Sequence, residues 1–237
     1  MNDSSFHFKQ FIVRQDKCAM KVGTDAVLLG SWVSRHELNS VKTILDIGTG
    51  TGIIAMMLAQ KSEAKIDAID IDDNAVMQAK DNVNASIWKD KISIHKISLQ
   101  DYSKEADQKF DLIISNPPYF DETFKPAEEG RNKARHTDNL SFEDLADGVR
   151  ILLSEHGKFY VILPLTEGTI FIEKMRVEGL FLNEIMRVKS RKEKPEKRLM
   201  MQFSFHKTEV ITTELFIHED DNAYSEAYIE MTKDYYL

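Results

Sequence analysis

The sequence predicts an α/β protein whose core is a doubly wound, mostly parallel sheet of seven strands that ends in an antiparallel hairpin. Three observations support this fold class. Residues 43–163 alternate short β-type runs with segments whose apolar residues recur at helical spacing. A glycine-rich segment follows the first of these strands, where such folds place a ligand-binding turn. Two further β-type runs near the C-terminus flank a short polar segment, which is typical of a hairpin.

The predicted parallel strands are runs of aliphatic and β-branched residues at about 43–47, 65–70, 91–97, 110–115 and 157–163. Helices are predicted between the first strands at 52–61 and 73–86. The second of these helices opens with two aspartates, which stabilise a helix N-terminus. Ser141 with Asp144 three residues later resembles a capping box, so another helix is predicted there, with Gly157 after its end.

The segments on either side of this core are predicted from the same signals. After the last parallel strand we expect a helix, the two hairpin strands, another β-type run and a short helix, at 167–178, 182–189, 199–206, 209–217 and 223–235. Residues 6–13 are strand-like, and Thr24 is a suitable N-cap for the next helix. No linker or repeat interrupts the chain. We therefore expect one structural domain, in which an N-terminal extension, 1–40, packs on the core, 41–237.

The composition is that of an ordinary globular protein and excludes several classes. Of 237 residues, 42% are hydrophobic and 30% are charged. The single cysteine, Cys18, cannot form an intrachain disulfide, and residues 1–20 lack the continuous apolar stretch of a secretion signal. The longest apolar run, Ile53 to Ala59, is far shorter than the ~20 residues that span a bilayer. We expect a cytoplasmic protein without a membrane span.

Charge is unevenly distributed along the chain. The formal net charge of −8 argues mildly against a nucleic-acid partner, because Lys and Arg bind phosphates. From Arg187 to Arg198, however, seven basic residues stand against two glutamates, so the local net charge is +5. A solvated hairpin is one explanation of this charge run, and contact with a nucleic acid is the other.

The segment Asp46 to Gly52 follows the first core strand and includes Gly48 and Gly50. Glycines let the backbone bend sharply and approach a ligand, so the segment predicts a nucleotide-cofactor loop. Its spacing is G-x-G-x-G, whereas the dinucleotide fingerprint is G-x-G-x-x-G. A pyrophosphate disfavours a nearby carboxylate, while a sulfonium cofactor with an ammonium group is compatible with Asp46. A glycine-rich turn without a ligand is the remaining alternative.

Acidic residues follow the next two strands. Asp70 ends the second core strand, where a carboxylate can accept both hydroxyl hydrogens of a ribose. Ile71 beside it is predicted to form an apolar wall for an adenine ring. Asp101, after the third strand, is a candidate acceptor for the adenine amino group. The alternatives are that Asp70 only caps the next helix and that Asp101 is a solvated loop residue.

Asn116-Pro117-Pro118-Tyr119 follows the buried run at 110–115 and so stands at the carboxyl tip of a strand, which faces the ligand crevice of a parallel sheet. Each proline fixes φ and lacks a backbone donor, so Asn116 enters a stiff turn with its amide aimed outward. The tetrad offers a side-chain carbonyl, backbone carbonyls and an aromatic face. This combination suits a planar ligand that carries an NH2 group.

Together these motifs resemble the class I S-adenosylmethionine-dependent methyltransferases, and the tetrad resembles that of their amino-methylating branch. The resemblance is carried by Asp46 to Gly52, Asp70 to Ala75, Ala79, Asn82 and Asn116 to Tyr119. It implies S-adenosyl-L-methionine as cofactor, S-adenosyl-L-homocysteine as product and no metal. It also implies that Asn116 and Pro117 accept hydrogen bonds from the target amine, that Asn116 contacts the cofactor as well, and that Tyr119 stacks on a flipped base. Asp25, in an extension that closes over the cofactor, becomes a candidate cofactor contact.

Three further segments narrow the resemblance to one family, the bacterial tRNA(Val) adenine-37 N6-methyltransferases. They are Lys21 to Gly30, Arg135 to Thr137 and Asp234 to Leu237. The similarity covers nearly the whole chain and implies a tRNA whose adenine beside the anticodon is splayed out of its loop. Cations on two segments near the crevice are the predicted RNA contacts: Lys125, Arg131, Arg135, His136, Lys189, Arg191, Lys192, Lys194 and Arg198. No obligate protein partner is evident.

Other interpretations stay open at the level of sequence. The same chemistry on a glutamine amide of a release factor, or on guanine N2 of ribosomal RNA, is the nearest alternative. A NAD-dependent oxidoreductase and a non-catalytic RNA-binding module are alternatives from other classes. No residue pattern selects valine tRNA over other tRNAs, so that choice rests on the family resemblance alone.

Overall fold

The computed structural model describes residues 5–18, 21–118 and 140–236. The strands are β1 (Ser5–His7), β2 (Ile12–Arg14), β3 (Thr43–Ile47), β4 (Lys65–Asp70), β5 (Ile92–Lys96), β6 (Phe110–Ser115), β7 (Leu153–Pro164), β8 (Phe181–Lys189), β9 (Glu196–Ser204) and β10 (Ile211–Phe216). The helices are α1 (Thr24–Val33), α2 (Ile53–Lys61), α3 (Asp73–Asn84), α4 (Leu99–Glu105), α5 (Phe142–Leu152), α6 (Leu165–Val177) and α7 (Glu226–Thr232). Within these ranges, no helix is both long enough and apolar enough to cross a bilayer.

Eight of the strands form one sheet in the order β10-β8-β9-β7-β6-β3-β4-β5. Strands β3 to β7 run parallel, β9 is antiparallel to both β7 and β8, and β10 pairs in parallel with β8. The prediction of a mostly parallel sheet closed by an antiparallel hairpin is confirmed. The sheet has eight strands rather than seven, because the β-type run predicted at 209–217 joins its edge as β10.

The chain reverses its winding direction between β3 and β6. From β3 it moves outward through β4 to β5, and it then returns to form β6 on the other side of β3. A crevice opens at such a reversal, outside the carboxyl ends of the strands. Gly48 follows the last residue of β3, and Asn116 follows the last residue of β6. The winding therefore brings the glycine loop close to Asn116, Pro117 and Pro118.

Helices cover both faces of the sheet and enclose two cores. One core joins α1, α2 and α7 to one face, and the other joins α5 and α6 to the opposite face. Adjacent strand residues alternate between them, with Ile44 in the first core and Leu45 in the second. Every residue of α2 from Ile53 to Ala59 is buried. This burial explains why helix α2 is apolar on every side.

The N-terminal extension differs from its predicted form. The expected single strand over 6–13 is a hairpin, in which β1 and β2 pair antiparallel and the Phe8 amide donates to the Phe11 carbonyl at 2.9 Å. Gly23, rather than Thr24, is the N-cap of α1, and no side chain caps this helix. Helix α1 packs against α2 and α7. The division of the chain at residue 40 stays a prediction.

Three other elements depart from expectation. Helix α4 occupies a predicted loop, although Ser98 and Asp101 have capping spacing, and the Ser98 Oγ accepts from the Asp101 amide at 3.1 Å. Strand β7 starts directly after α5, so Gly157 lies inside a strand. A Cβ there would approach the Phe110 carbonyl oxygen to 2.8 Å, which explains the glycine. Helix α7 is shorter than the predicted 223–235.

Candidate active site

Two adjoining cavities lie at the carboxyl edge of the sheet. Their volumes are about 550 and 350 Å3, and we call them the large lobe and the small lobe. Both are lined by Gly48, Gly50, Asn116 and Pro117, so the lobes meet where the glycine loop faces the tip of β6. The crevice thus lies at the place that the winding of the sheet specifies.

The glycine loop after β3 has a backbone that only glycine adopts readily. Gly48, Gly50 and Gly52 have φ values of 71°, 56° and 79°, in the left-handed region. A Cβ at Gly48 or Gly50 would meet no atom of the described residues within 4 Å, so none of these residues fills the space beside the loop. At Gly52 a Cβ would lie 3.4 Å from that of Ala79 on α3. The loop presents bare backbone to a ligand and is backed by α3.

Asp70, at the end of β4, shapes this loop and lines the large lobe. Its Oδ2 accepts from the Gly50 amide at 2.9 Å, and its Oδ1 accepts from the Asp72 amide at 3.0 Å. Asp72 is the cap of α3, since its Oδ1 accepts from the Ala75 amide at 2.7 Å. A carboxylate oxygen has two lone pairs, so each oxygen of Asp70 can accept one further hydrogen bond. The two hydroxyls of a ribose are suitable donors.

Apolar side chains form most of the large lobe, and Cys18, Ile69, Ile71, Ile97 and Leu99 are among them. Ile71 is 47% exposed, so an apolar surface is left uncovered at the predicted position of a ring. Asp101 does not line the lobe. Helix α4 turns it outward, where it pairs with Lys104 at 3.1 Å and accepts from the Ser98 hydroxyl at 2.9 Å. Leu99 and Gln100 line the lobe, and the contact of Asp101 with an adenine amino group stays a prediction.

Asp46 lies beneath the glycine loop, with 1% of its surface exposed. Its Oδ2 accepts from the Thr49 hydroxyl at 2.7 Å, whereas its Oδ1 has no hydrogen-bond partner among the described residues. Burial raises the pKa of this carboxyl to about 7, while the Thr49 hydroxyl opposes the rise and the charge of Asp70 adds to it. A buried, incompletely bonded acid under a ligand loop favours a cationic ligand group over a phosphate.

Asp46 is expected to make the stability of the free protein fall as the pH rises from about 4 to about 7. The unfolded carboxyl ionises near 3.8, whereas the folded one has a pKa of about 7. Between these values the folded state binds one more proton, so the free energy of unfolding declines by up to about 1.4 kcal/mol per pH unit. In urea unfolding, the free energy of unfolding of the wild type should decline with this slope relative to that of Asp46→Asn. Equal pH dependence would contradict a protonated Asp46.

The small lobe lies between the glycine loop and the first turn of α1. Residues Lys21 to Ala26 form its outer wall. The amides of this turn have no side-chain cap, and a helix N-terminus favours an anionic group. Asp25 lines the same lobe, and its Oδ2 accepts a hydrogen bond from Arg198 Nε at 2.8 Å. Asp25, predicted at the cofactor, and Arg198, predicted at the RNA, therefore form one ion pair.

Two buried amide side chains of α3 hold the N-terminal extension against the crevice. Asn82 Oδ1 accepts from the Arg14 amide, and its Nδ2 donates to the carbonyls of Arg14 and Thr51, all at 2.9 Å. Gln78 Oε1 accepts from the Lys17 amide at 2.8 Å. The sequence includes Asn82 in the family resemblance but predicts no contact for its side chain. Buried amides four residues apart on one helix are the signal that locates this contact.

Asn116 and Pro117 stand at the tip of β6, where both lobes meet. Ser115 before them is fully buried, and its hydroxyl donates to the Ile47 carbonyl at 2.9 Å, which ties the tip of β6 to that of β3. Asn116 is half-buried, Pro117 is buried and Pro118 is exposed. Outside the described residues lie Tyr119 and the predicted RNA contacts Lys125, Arg131, Arg135 and His136.

The hairpin of β8 and β9 carries the basic segment to the same edge of the sheet as the crevice. Both β7 and β8 run antiparallel to β9, so the end of β8 lies beside the carboxyl ends of the parallel strands. Three cations of this segment already have carboxylate partners: Arg187 with Glu196, Lys189 with Glu214 and Arg198 with Asp25. These pairs reduce the charge that is available to a ligand.

The remaining cations of the hairpin face solvent. Lys192, Lys194 and Lys197 are exposed, and no carboxylate of the described residues lies within ion-pair distance of them. The Arg191 guanidinium donates to the side-chain oxygen of Asn222. The predicted basic surface is therefore present, and the charge that no described carboxylate balances lies on three exposed lysines and on Arg191, whose partner is a neutral amide.

Comparisons with known proteins agree with this geometry. A family model described as methyltransferase small domain matches residues 21–129. The tRNA1(Val) (adenine(37)-N6)-methyltransferase of Trichodesmium erythraeum is 43% identical over 100% of this chain and 99% of its own length. Relatives of the same name from Christiangramia forsetii and Pseudoalteromonas translucida are 42% and 43% identical, and they cover 100% and 99% of this chain and 99% of their own lengths.

Solved structures share the fold at low sequence identity. A predicted O-methyltransferase from Agrobacterium tumefaciens has a TM-score of 0.62 at 18% identity, over 89% of this chain and 96% of that chain. A ribosomal protein L11 methylase from Lactobacillus delbrueckii subsp. bulgaricus has a TM-score of 0.54 at 21% identity, over 76% of each chain. On the strength of the full-length relatives, this chain belongs to the tRNA1(Val) (adenine(37)-N6)-methyltransferase family.

Proposed function

We propose that the protein is a cytoplasmic enzyme that transfers a methyl group from S-adenosyl-L-methionine to N6 of adenine 37 in tRNA(Val). The observation that carries the proposal is the junction of the two lobes, where an open glycine loop faces the Asn116-Pro117 tip of β6. The full-length relatives are named for this reaction on this adenine, which supports the choice of substrate.

The crevice residues suit S-adenosyl-L-methionine by charge and shape. Bound there, the cofactor supplies an electrophilic methyl carbon on a sulfonium and leaves as S-adenosyl-L-homocysteine. Asp70 would accept from the ribose hydroxyls, and Ile71 and Leu99 would cover the adenine. Asp46 lies beneath the loop and outside the lining of both lobes, and in its ionised form it would balance the ammonium group. A pyrophosphate would instead lie above the Asp46 carboxyl, which disfavours NAD.

Asn116 and Pro117 position the target amine. The Asn116 side-chain oxygen and the Pro117 carbonyl each accept one hydrogen of the N6 amino group. These bonds draw the nitrogen out of conjugation with the ring, so its lone pair is available for attack. As the new N–C bond forms, the C–S bond breaks, sulfur keeps the electron pair, and the nitrogen releases a proton to solvent. Tyr119 stacks on the flipped base in this proposal, and most of the catalysis is positioning.

Two other acceptors present a similar NH2 group to Asn116. One is a glutamine amide of a release factor, and the other is guanine N2 of ribosomal RNA. The exposed lysines of the hairpin favour RNA over a protein loop, because a glutamine loop has no phosphates for them to bind. The names of the relatives favour tRNA over ribosomal RNA.

Methylation with labelled cofactor tests the substrate. Total tRNA, ribosomal RNA and a release factor are offered in separate reactions, and we expect label in tRNA alone. Nucleoside mass spectrometry should identify the product as N6-methyladenosine, and tRNA(Val) from a deletion strain should lack it. Label that appears only in the release factor or only in ribosomal RNA would contradict tRNA as the substrate. If the protein binds NAD tightly and does not bind S-adenosyl-L-homocysteine, the proposal of methyl transfer is contradicted.

Joint replacement of Lys192, Lys194 and Lys197 with Ala is expected to weaken tRNA binding and make it less salt dependent. Each lost phosphate contact lowers the slope of log affinity against log salt by about 0.7 to 0.9, so the triple variant should lose about 2. Fluorescence anisotropy with an anticodon stem-loop at several salt concentrations measures this slope.

The matched control replaces three exposed lysines at the opposite edge of the sheet, Lys89, Lys158 and Lys207. This control has the same change in net charge but leaves the hairpin intact. Its slope should match that of the wild type. An unchanged slope in the hairpin variant, or an equal loss in the control, would contradict a phosphate contact at the hairpin.

A further inference from the structure

Tyr224 is an exposed aromatic residue at the same edge of the sheet as the crevice. Its exposed fraction is 53%, and it directly precedes Ser225, the N-cap of α7. Because β10 runs parallel to β8, its end also lies at the carboxyl edge. Four strand spacings of about 4.8 Å separate β10 from β6, so this end lies about 19 Å from the strand that carries Asn116. Several unstacked nucleotides cover that distance.

Tyr224 belongs to a stack of three rings. The His218 centroid lies 5.1 Å away at an interplanar angle of 25°, and that of Tyr228 lies 4.8 Å away at 22°. His218 and Tyr224 also form an antiparallel backbone bridge. Tyr228 is buried, so the stack is anchored in the core and reaches the surface through Tyr224 and His218. The surface rings are held in place before any ligand arrives.

This ring stack is attached to the basic hairpin. The His218 amide donates to the Ser190 carbonyl at 3.0 Å, at the turn between β8 and β9. The Arg191 guanidinium donates to the side-chain oxygen of Asn222, two residues before Tyr224. The exposed lysines of the turn follow directly in sequence. Cations that suit a phosphate backbone and rings that suit a base therefore share one surface.

Carboxylates limit what can bind beside the rings. Glu219, Asp220 and Asp221 follow His218 and are exposed. They disfavour a phosphate at this end of the surface, whereas an uncharged base meets no such repulsion. Every base also has a face that stacks on an aromatic ring. The charges thus favour the phosphate backbone at the lysines and a base at His218 and Tyr224.

We propose that an unpaired base of the same RNA whose target adenine enters the crevice stacks on His218, the outer ring of this stack, and packs against the exposed part of Tyr224. The lysines of the hairpin hold the backbone between the two bases. This inference rests on the proposed function, because it adds a second base contact for that substrate. It makes the ring stack a part of substrate recognition in addition to its role in packing α7.

Replacing Tyr224 with Ala tests the base site. The Kd for an anticodon stem-loop should rise about tenfold, as expected when one stacked base is lost. The Kd for S-adenosyl-L-homocysteine and the salt slope should stay at wild-type values, because neither the crevice nor a phosphate contact is altered. Tyr224→Phe keeps the ring and should bind within about twofold of the wild type. Ile229→Ala, on α7 and also 53% exposed, is the matched control and should bind normally.

Tyr224→Leu separates loss of stacking from loss of folding, since it keeps an apolar cover over Tyr228. It should melt near the wild-type temperature and reproduce the weaker RNA binding. A folded Tyr224→Leu protein with wild-type RNA affinity would overturn the base site, as would an equal loss in Ile229→Ala. Either result leaves the proposed function standing if the wild type methylates tRNA. A wild type that leaves tRNA unmethylated would overturn the function and this inference with it.

Discussion

Replacement of Asn116 with Ala is expected to lower the rate of methyl transfer by at least about 100-fold, while cofactor affinity stays mostly unchanged. The side-chain oxygen is proposed to hold one hydrogen of the amine, and its loss leaves the nitrogen misplaced relative to the methyl donor. Asp70 bonds to the amides of Gly50 and Asp72, and the substitution alters neither of these contacts, so the ribose site and the glycine loop should persist in the variant. Single-turnover methylation of saturating tRNA gives the rate, and calorimetry with S-adenosyl-L-homocysteine gives the affinity.

Ser115→Ala provides the control for this prediction. Ser115 neighbours Asn116 and also lines the large lobe, but its buried hydroxyl donates to the Ile47 carbonyl. Its loss should cost about 1 kcal/mol of stability and change the rate of methyl transfer far less than Asn116→Ala does. A fully active Asn116→Ala protein would contradict the proposed role of the side-chain oxygen. If both variants lose the same factor in the rate of methyl transfer, the loss reflects a displaced β6 tip and not the missing side-chain oxygen.

The core strands are predictable from the sequence because both faces of the sheet are covered. Strands buried on two sides are continuous apolar runs, as in Phe110 to Ser115, and their positions match the prediction closely. Strand β10 shows the limit of this signal. Four of its six residues are exposed at the sheet edge, so local composition does not reveal that it pairs with β8. That pairing is set by the rest of the fold.

The candidate site is predictable where each residue lies near the carboxyl end of a strand or directly after it. Asp46, Asp70 and Asn116 are brought together because parallel strands present their carboxyl ends at one edge. Contacts between remote segments carry no such signal. Asp25 and Arg198 are 173 residues apart, and nothing near either residue predicts their ion pair. Asp101 lies outside the lobe lining for a local reason, since it is in the first turn of α4 and its side chain pairs with Lys104 at the surface.

Replacement of Asp70 with Ala is expected to raise the Kd for S-adenosyl-L-homocysteine by at least about 100-fold. Hydrogen bonds to a charged acceptor contribute about 1.5 to 3 kcal/mol each, and two ribose hydroxyls lose such an acceptor. The loss also removes the anchor of the Gly50 amide, so the glycine loop is less well held. Asp70→Asn keeps one acceptor oxygen and should lie between the wild type and Asp70→Ala. Calorimetry measures all three affinities.

Asp101→Ala decides whether this effect is specific to the acid that lines the large lobe. Both residues are aspartates that follow neighbouring strands, but Asp101 is exposed and paired with Lys104. Loss of an exposed ion pair is worth little, so the affinity of Asp101→Ala should stay within about twofold of the wild type. A large loss there would place Asp101 at the cofactor, as its position after β5 first indicates. Wild-type affinity in Asp70→Ala would mean that the ribose does not bind at Asp70, and it would contradict the proposed orientation of the cofactor.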